Sequence, residues 1–214
     1  MSGPVRVGVA ISGSGSNLQA LLDAARAPDA PFAVAVVVSD RARAFGLQRA
    51  TDAGVPTVYL PGGGQTRDAY DTALADCFRA HHVDWVCLAG FLRIVGAPLL
   101  TAFPQRVLNV HPSLLPAFPG LDAAKQALEH GVRVTGATVH LVDAGMDTGP
   151  IVAQGAVPVR SDDTLASLQQ RIHAIEHQIY PAAVRWAAEG RLQVEGRRVR
   201  VDLPADAPTA WLVP

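Results

Sequence analysis

Val5-Arg6-Val7-Gly8-Val9-Ala10-Ile11, then Ser12-Gly13-Ser14-Gly15-Ser16-Asn17, then Leu18-Gln19-Ala20-Leu21-Leu22: the reading of this run decides the fold. Its first part is apolar and rich in valine, which suits a buried strand. Its middle is small and polar. From Leu18 onward, Leu18, Leu21, Leu22 and Ala25 recur at helical spacing. The order is strand, glycine loop, helix. Glycines let backbone N–H groups line a concavity, and the helix beginning near Ser16 adds its positive end, so the loop suits an anion, most naturally a phosphate. Ser14, Ser16 and Asn17 add side-chain donors. The alternatives are a tight turn with glycine for geometry only, or a dinucleotide loop. Gly13-Ser14-Gly15 begins the dinucleotide pattern, and Asp40 stands roughly where a ribose-binding acid would. The third glycine position is Leu18, which ranks a monophosphate above NAD.

Outward from this run the same alternation repeats. Phe32 to Val38 reads as a strand, about Ala44 to Ala53 as a helix closed by Gly54, and Pro56 to Leu60 as a short strand. Gly62-Gly63-Gly64 is a joint. Thr66 can cap a helix carrying Tyr70, Leu74, Cys77, Phe78 and His81 on one stripe. Trp85 to Ala89 is an apolar strand, about Ala97 to Ala102 a short helix, and Val107 to His111 another strand. Pro112, Pro116 and Pro119 forbid regular structure up to Gly120, and Asp122 to Glu129 looks helical. Then the grammar changes. Val134 to Val142 and Ile151 to Val159 are strands with no helix between them, which suggests antiparallel pairing, within the same sheet. Ser161-Asp162-Asp163-Thr164 caps a long helix to about Glu189. Short β-like pieces, Leu192 to Val194 and Arg198 to Val201, precede a loose, proline-rich end. The expected fold class is α/β: a mostly parallel, doubly wound (Rossmann-like) sheet with an antiparallel strand pair in the second half and a long C-terminal helix.

With 214 residues, 49% of them hydrophobic, the chain can bury a sizeable core as one domain over 1–214, with a core of about 5–190 and a short tail of 191–214. A net charge of −1 speaks against nucleic acid as a partner, because a general binder needs a basic footprint. No apolar run is long enough to span a bilayer, and Met1-Ser2-Gly3-Pro4 lacks the basic start of a secretory signal. Cys77 and Cys87 sit in apolar segments, which suits reduced core thiols in a cytoplasmic protein. No Cys/His grouping has metal-ligand spacing, so no metal is expected. Small-molecule substrates are the expected partners. Nothing fixes the oligomeric state, and a homodimer stays open.

The strand Val107-Leu108-Asn109-Val110-His111 sets Asn109 and His111 on one face by parity, at its carboxyl end, where open α/β sheets bind ligands. An amide beside an imidazole makes a small polar site. A structural strand-end histidine remains equally open on these residues alone. Asp147 lies on a glycine-bounded turn and gains meaning if it reaches His111, since a carboxylate near an imidazole favours the charged ring. A charged ring beside an amide donor would make an oxyanion site. His81, His82 and His130 sit at helix ends. His140 alternates within a strand and reads as structural. His173, Glu176 and His177 share one helix face, solvated or half-buried. Arg197-Arg198-Val199-Arg200 reads as a solvated hairpin edge.

Five segments occur in one order: Ile11 to Ala20, Leu88 to Ile94, Asn109 to Pro116, Asp143 to Pro150, and Gln178 to Pro181. Together they resemble the phosphoribosylglycinamide formyltransferases, the folate-dependent enzymes of purine synthesis, from about Val5 to Gly190. The Asn-x-His-Pro-Ser-Leu-Leu-Pro run marks the wider formyltransferase superfamily, and the glycine loop and chain length narrow it. The resemblance implies that Gly15, Ser16 and Asn17 hold the phosphate of glycinamide ribonucleotide, with His173 and Glu176 facing its ribose or glycinamide. It implies that Arg67 approaches the folate tail. Leu92, Arg93, Ile94 and Val95, with Asp143, Ala144, Gly145, Met146 and Asp147, would line the folate pocket beside Asn109. Asn109, His111 and Asp147 would be the catalytic trio.

The reaction so implied moves a formyl group from 10-formyltetrahydrofolate, a co-substrate, to the glycinamide amine. Hydrolysis of the formyl-folate and a non-catalytic sugar-phosphate or nucleotide-binding domain are the alternatives. The sequence departs from the family's pattern at Asp122-Ala123-Ala124-Lys125, where histidines are common, and at Thr148, often glycine.

Overall fold

The computed structural model describes residues 3–203, so the proline-rich end expected to be loose lies outside the described residues. The chain divides into two compact units at Asn109/Val110.

The first unit alternates strand and helix: β1 (Val5–Ile11), α1 (Ser16–Ala25), β2 (Phe32–Ser39), α2 (Phe45–Asp52), β3 (Thr57–Tyr59), α3 (Arg67–Ala80), β4 (Trp85–Leu88), α4 (Ala97–Ala102) and β5 (Val107–His111), whose last two residues cross the division. The strand order is β3-β2-β1-β4-β5, and every pairing is parallel. β1 is central. Val7, Val9, Ala10 and Ile11 are fully buried, as expected of a strand covered on both faces. The chain order reverses between β1 and β4, so the loops after these two strands meet at the switch point where α/β folds bind ligands. Three hydrogen bonds join them: Ala89 N–H to Ala10 O (2.9 Å), Ser12 N–H to Gly90 O (3.1 Å) and Leu92 N–H to Ser12 Oγ (2.9 Å).

Helix α3 starts as its sequence dictates, with Thr66 Oγ1 accepting from Ala69 N–H at 3.2 Å. Tyr70, Leu74 and Phe78, four residues apart, are fully buried. Cys77 and His81 lie beside that stripe and are only half-buried, so Cys77 is not the core thiol its apolar neighbours suggested. Cys87 is buried in β4.

The second unit holds α5 (Ala123–Glu129), the antiparallel pair β6 (Val134–Leu141) and β7 (Ile151–Pro158), α6 (Leu165–Ala188), and a hairpin of β8 (Leu192–Glu195) and β9 (Arg198–Val201). The hairpin is not a free edge, because β9 pairs with β7 at Ile151 and Arg198. Helix α6 begins with a capping box in which Thr164 Oγ1 accepts from Ser167 N–H and Ser167 Oγ accepts from Thr164 N–H. Its buried residues, including Leu168, Ile172, Ile175 and Ile179, repeat every three or four positions. A Cβ on Gly155 of β7 would come within 2.3 Å of Ile175 Cγ1, so only glycine lets the helix seat this close.

Candidate active site

In the first unit the glycine loop closes onto helix α2. Gly15 is the N-cap of α1 with φ +72°, and no side chain caps the helix. No acidic residue stands in its first turn. Ser16 is half-buried and Asn17 buried, while Gly13 and Ser14 are exposed. The result is a bare, electropositive helix end beside an open loop, a natural place for an anion. Leu18, where a dinucleotide loop would have its third glycine, is fully buried and fills that space with packed side chain.

The second loop of this unit carries residues expected at the folate. Arg93 stacks its guanidinium on the Tyr70 ring at 4.1 Å, and Val95 is buried. Leu92 and Ile94 are 55% and 53% exposed, apolar side chains left open to a ligand. Asp71 is buried and accepts from Gly96 N–H at 2.6 Å, which ties the loop to α3; burial pushes its carboxyl pKa up, against that hydrogen bond. Arg67 stands at the start of α3, exposed and near Asp68.

In the second unit the carboxyl end of β5 sets His111 in a buried position, 5% exposed. Asn109, two residues earlier on the strand, is half-buried, while Leu108 and Val110 are buried on the other face, as parity requires. His111 Nε2 lies 2.8 Å from Phe118 O. A carbonyl only accepts, so Nε2 carries a hydrogen and donates it there. Nδ1 lies 3.4 Å from Asp147 Oδ2. The same oxygen accepts from Gly120 N–H at 2.8 Å. The proline-rich loop thus grips both members of the pair, by Phe118 O on His111 and by Gly120 N–H on Asp147.

Asp147 adopts φ +55° on its turn, a conformation Asp tolerates better than most residues. Asp143 Oδ1 shapes that turn by accepting from Gly145 N–H (3.1 Å) and Thr148 Oγ1 (2.7 Å). Thr148 therefore has a structural task here. Met146 is 53% exposed, with Ala144 and Gly145 also open.

His140, read from sequence as structural only, lies against Asp147 with Nε2 3.7 Å from Oδ1. Its Nδ1 lies 2.9 Å from Leu141 O and so carries the hydrogen. Burial pushes its pKa below the ordinary value, against the pull of the Leu141 carbonyl and Asp147. Because burial disfavours its charged form, His140 offers Asp147 little counter-charge. Nothing in the local sequence around His140 signals this, because Asp147 is brought to it by the turn between β6 and β7.

The loop after β5 is held by its own network. Thr138 Oγ1 donates to Ser113 O (2.7 Å) and accepts from Leu115 N–H (3.0 Å) and Gln154 Nε2 (3.0 Å), while Gln154 Nε2 also donates to Leu115 O (2.9 Å). On α6, Glu176 is buried but His173 is exposed, its ring stacked on His177 with centroids 6.3 Å apart. The expected neighbours thus occupy different environments. Among the described residues, no group of three or more His, Cys, Asp or Glu could hold a metal ion, and no helix is long and apolar enough to cross a membrane.

A paired imidazole and carboxylate after a strand carrying Asn-x-His-Pro-Ser, together with an uncapped glycine-loop helix, sort this chain with known proteins. The formyl transferase family model matches residues 5–184. The chain belongs to the formyl transferase family. It is 40% identical to the phosphoribosylglycinamide formyltransferase of Escherichia coli (strain K12) over 195 residues, which cover 91% of this chain and 92% of that one. It is 45% identical to the human trifunctional purine biosynthetic protein adenosine-3 over 190 residues, covering 88% of this chain but only 19% of that much longer protein. Among solved structures, glycinamide ribonucleotide transformylase 1 of Symbiobacterium toebii superposes with a TM-score of 0.91 at 59% identity, over 92% of this chain and 94% of that one. The expected α/β fold is therefore the fold of its formyl transferase relatives.

Proposed function

We propose that this protein transfers the formyl group of 10-formyltetrahydrofolate to the amine of 5′-phosphoribosylglycinamide, yielding phosphoribosyl-N-formylglycinamide and tetrahydrofolate in purine biosynthesis. In a chain of this family, the observation that carries the reading is the buried His111–Asp147 pair, with Nε2 of His111 committed to Phe118 O and Nδ1 facing the carboxylate.

The neutral amine attacks the formyl carbon, and the carbonyl becomes a tetrahedral oxyanion. Asn109 donates a hydrogen bond to that oxygen, and a positive charge on His111 stabilises it through space, at small reorganisation cost in a desolvated site. The bond from the formyl carbon to N10 of the folate then breaks. His111 gives its Nδ1 proton to N10, and the attacking amine loses one proton through water toward Asp147. One proton leaves the amine and one arrives at N10, so the step balances without a metal. In this reading Gly15, Ser16 and Asn17 take the phosphate, with His173 and Glu176 on the remainder of the ribonucleotide. Arg67, Leu92 to Val95 and Asp143 to Asp147 receive the folate. The reading treats about 5–190 as one formyltransferase domain and places the protein in the cytoplasm, where Cys77 and Cys87 stay reduced.

The test measures tetrahydrofolate release from 10-formyltetrahydrofolate with and without phosphoribosylglycinamide. Release that depends on the acceptor is expected. Equal release without it would make the protein a hydrolase of formyl-folate, and no release in either case would reduce it to a binding domain.

A further inference from the structure

Helix α2 forms the back wall of the glycine loop. Gly46 N–H donates to Gly13 O at 3.1 Å, and Arg49 Nε donates to Ser14 O at 2.9 Å. A trans peptide is planar, with its C=O and N–H pointing opposite ways. Drawing Gly13 O toward α2 therefore turns Ser14 N–H away from it. Drawing Ser14 O toward α2 does the same to Gly15 N–H. Both donors then point away from α2, beside the exposed Gly13 and Ser14 and the start of α1, whose own first N–H groups no N-cap side chain takes up. The approach is as close as backbone allows: a Cβ on Gly15 would lie 2.6 Å from Gly46 Cα, and one on Gly46 would lie 2.4 Å from Ile11 Cδ1.

Arg49 is itself held on three sides. Nη1 donates to Gln19 Oε1 at 3.2 Å, the guanidinium lies 5.0 Å from the Phe45 ring centroid, and Nε is on Ser14 O. A fork of this kind fixes direction in a way an ammonium does not. We propose that Arg49 is a positioning residue for the phosphate of the nucleotide substrate: by holding the Ser14 carbonyl against α2, it aims the loop's N–H groups at the phosphate. The inference rests on the reading that this loop takes the phosphate of phosphoribosylglycinamide.

The test uses the full chain with Arg49→Met and Arg49→Lys. It measures kcat, the KM of each substrate, and the inhibition constant of inorganic phosphate as competitor of the nucleotide. In Arg49→Met the nucleotide KM and the phosphate inhibition constant should both rise about tenfold, the worth of one charge-assisted hydrogen bond. The kcat and the formyl-folate KM should stay within about twofold, and Arg49→Lys should recover part of the loss. Unchanged nucleotide KM and phosphate inhibition in a folded Arg49→Met would overturn the inference. So would a parallel loss in kcat and in both KM values that tracks the melting temperature, since that is a packing defect. If inorganic phosphate does not compete with the nucleotide on the unmodified chain, the phosphate reading of the loop fails first, and the inference goes with it.

Discussion

Replacing Asp147 by Asn removes one charge and almost nothing else. Gly120 N–H needs an acceptor at the Oδ2 position, 2.8 Å away, so the amide oxygen of Asn must take that place. The amide nitrogen then falls at the Oδ1 position, facing Nε2 of His140, which accepts because Nδ1 carries its hydrogen. The substitution therefore satisfies the turn and the loop while it discharges the partner of His111. A unit charge pair at the 3.4 Å seen between His111 Nδ1 and Asp147 Oδ2 is worth about 5 kcal/mol gross at an effective dielectric of about 20. Asp147 is 14% exposed, and part of this is lost to solvent. A net loss of about 3 kcal/mol in the transition state follows, or roughly a hundredfold to a thousandfold in kcat. The assay is the initial rate of acceptor-dependent tetrahydrofolate formation, with a melting curve on the same sample. The reasoning is refuted if the Asn variant, melting within a few degrees of the parent, keeps kcat within about tenfold.

Two further outcomes concern stability. Thr138→Val should cost about 3 kcal/mol in denaturant unfolding, because the buried Leu115 N–H and Gln154 Nε2 both lose their shared acceptor, whereas Thr138→Ser should lose under about 1 kcal/mol; equal costs would show that the hydroxyl is not what holds the loop. His140 supplies a pH dependence. Burial holds its folded pKa below the ordinary 6.5, with Asp147, His111 and Asp143 the charged or titratable groups acting on it, so its contribution is present above about pH 6.5 and is lost as pH falls toward the lower folded value. For one proton the slope cannot exceed about 1.4 kcal/mol per pH unit. Unfolding of His140→Gln between pH about 7 and about 5 should show a shallower loss than the parent, and identical slopes would remove His140 as the cause.

The local grammar of the first half was readable because each element carries its own punctuation. The Val5–Ile11 strand, the start of α1 at Ser16, the Thr66 cap and the Tyr70, Leu74, Phe78 stripe all lie where short-range rules put them. Parity alone placed Asn109 and His111 on one face and Leu108 and Val110 on the other. Where short-range rules misled, a distant segment had intervened. Cys77 looked like core and is half-buried, because the sheet receives the stripe beside it. His140 looked structural and stands against Asp147. Arg49, which belongs to no motif of the sequence, holds the Ser14 carbonyl from 35 positions away.

The sequence by itself determined the alternating α/β order, the helix start at the glycine loop, and the face on which His111 points, since each depends on periodicity or on residues a few positions apart. Only the tertiary structure decided which nitrogen of His111 meets a carbonyl, which carboxylate faces the other, and that His140 is the second imidazole on that carboxylate. Those facts depend on the Phe118 carbonyl, the Gly120 N–H and the turn after β6 arriving at the same place. Hydrogen bonds and charge pairs act over a few ångströms in space, and no local pattern in the chain encodes which distant groups will lie within that range.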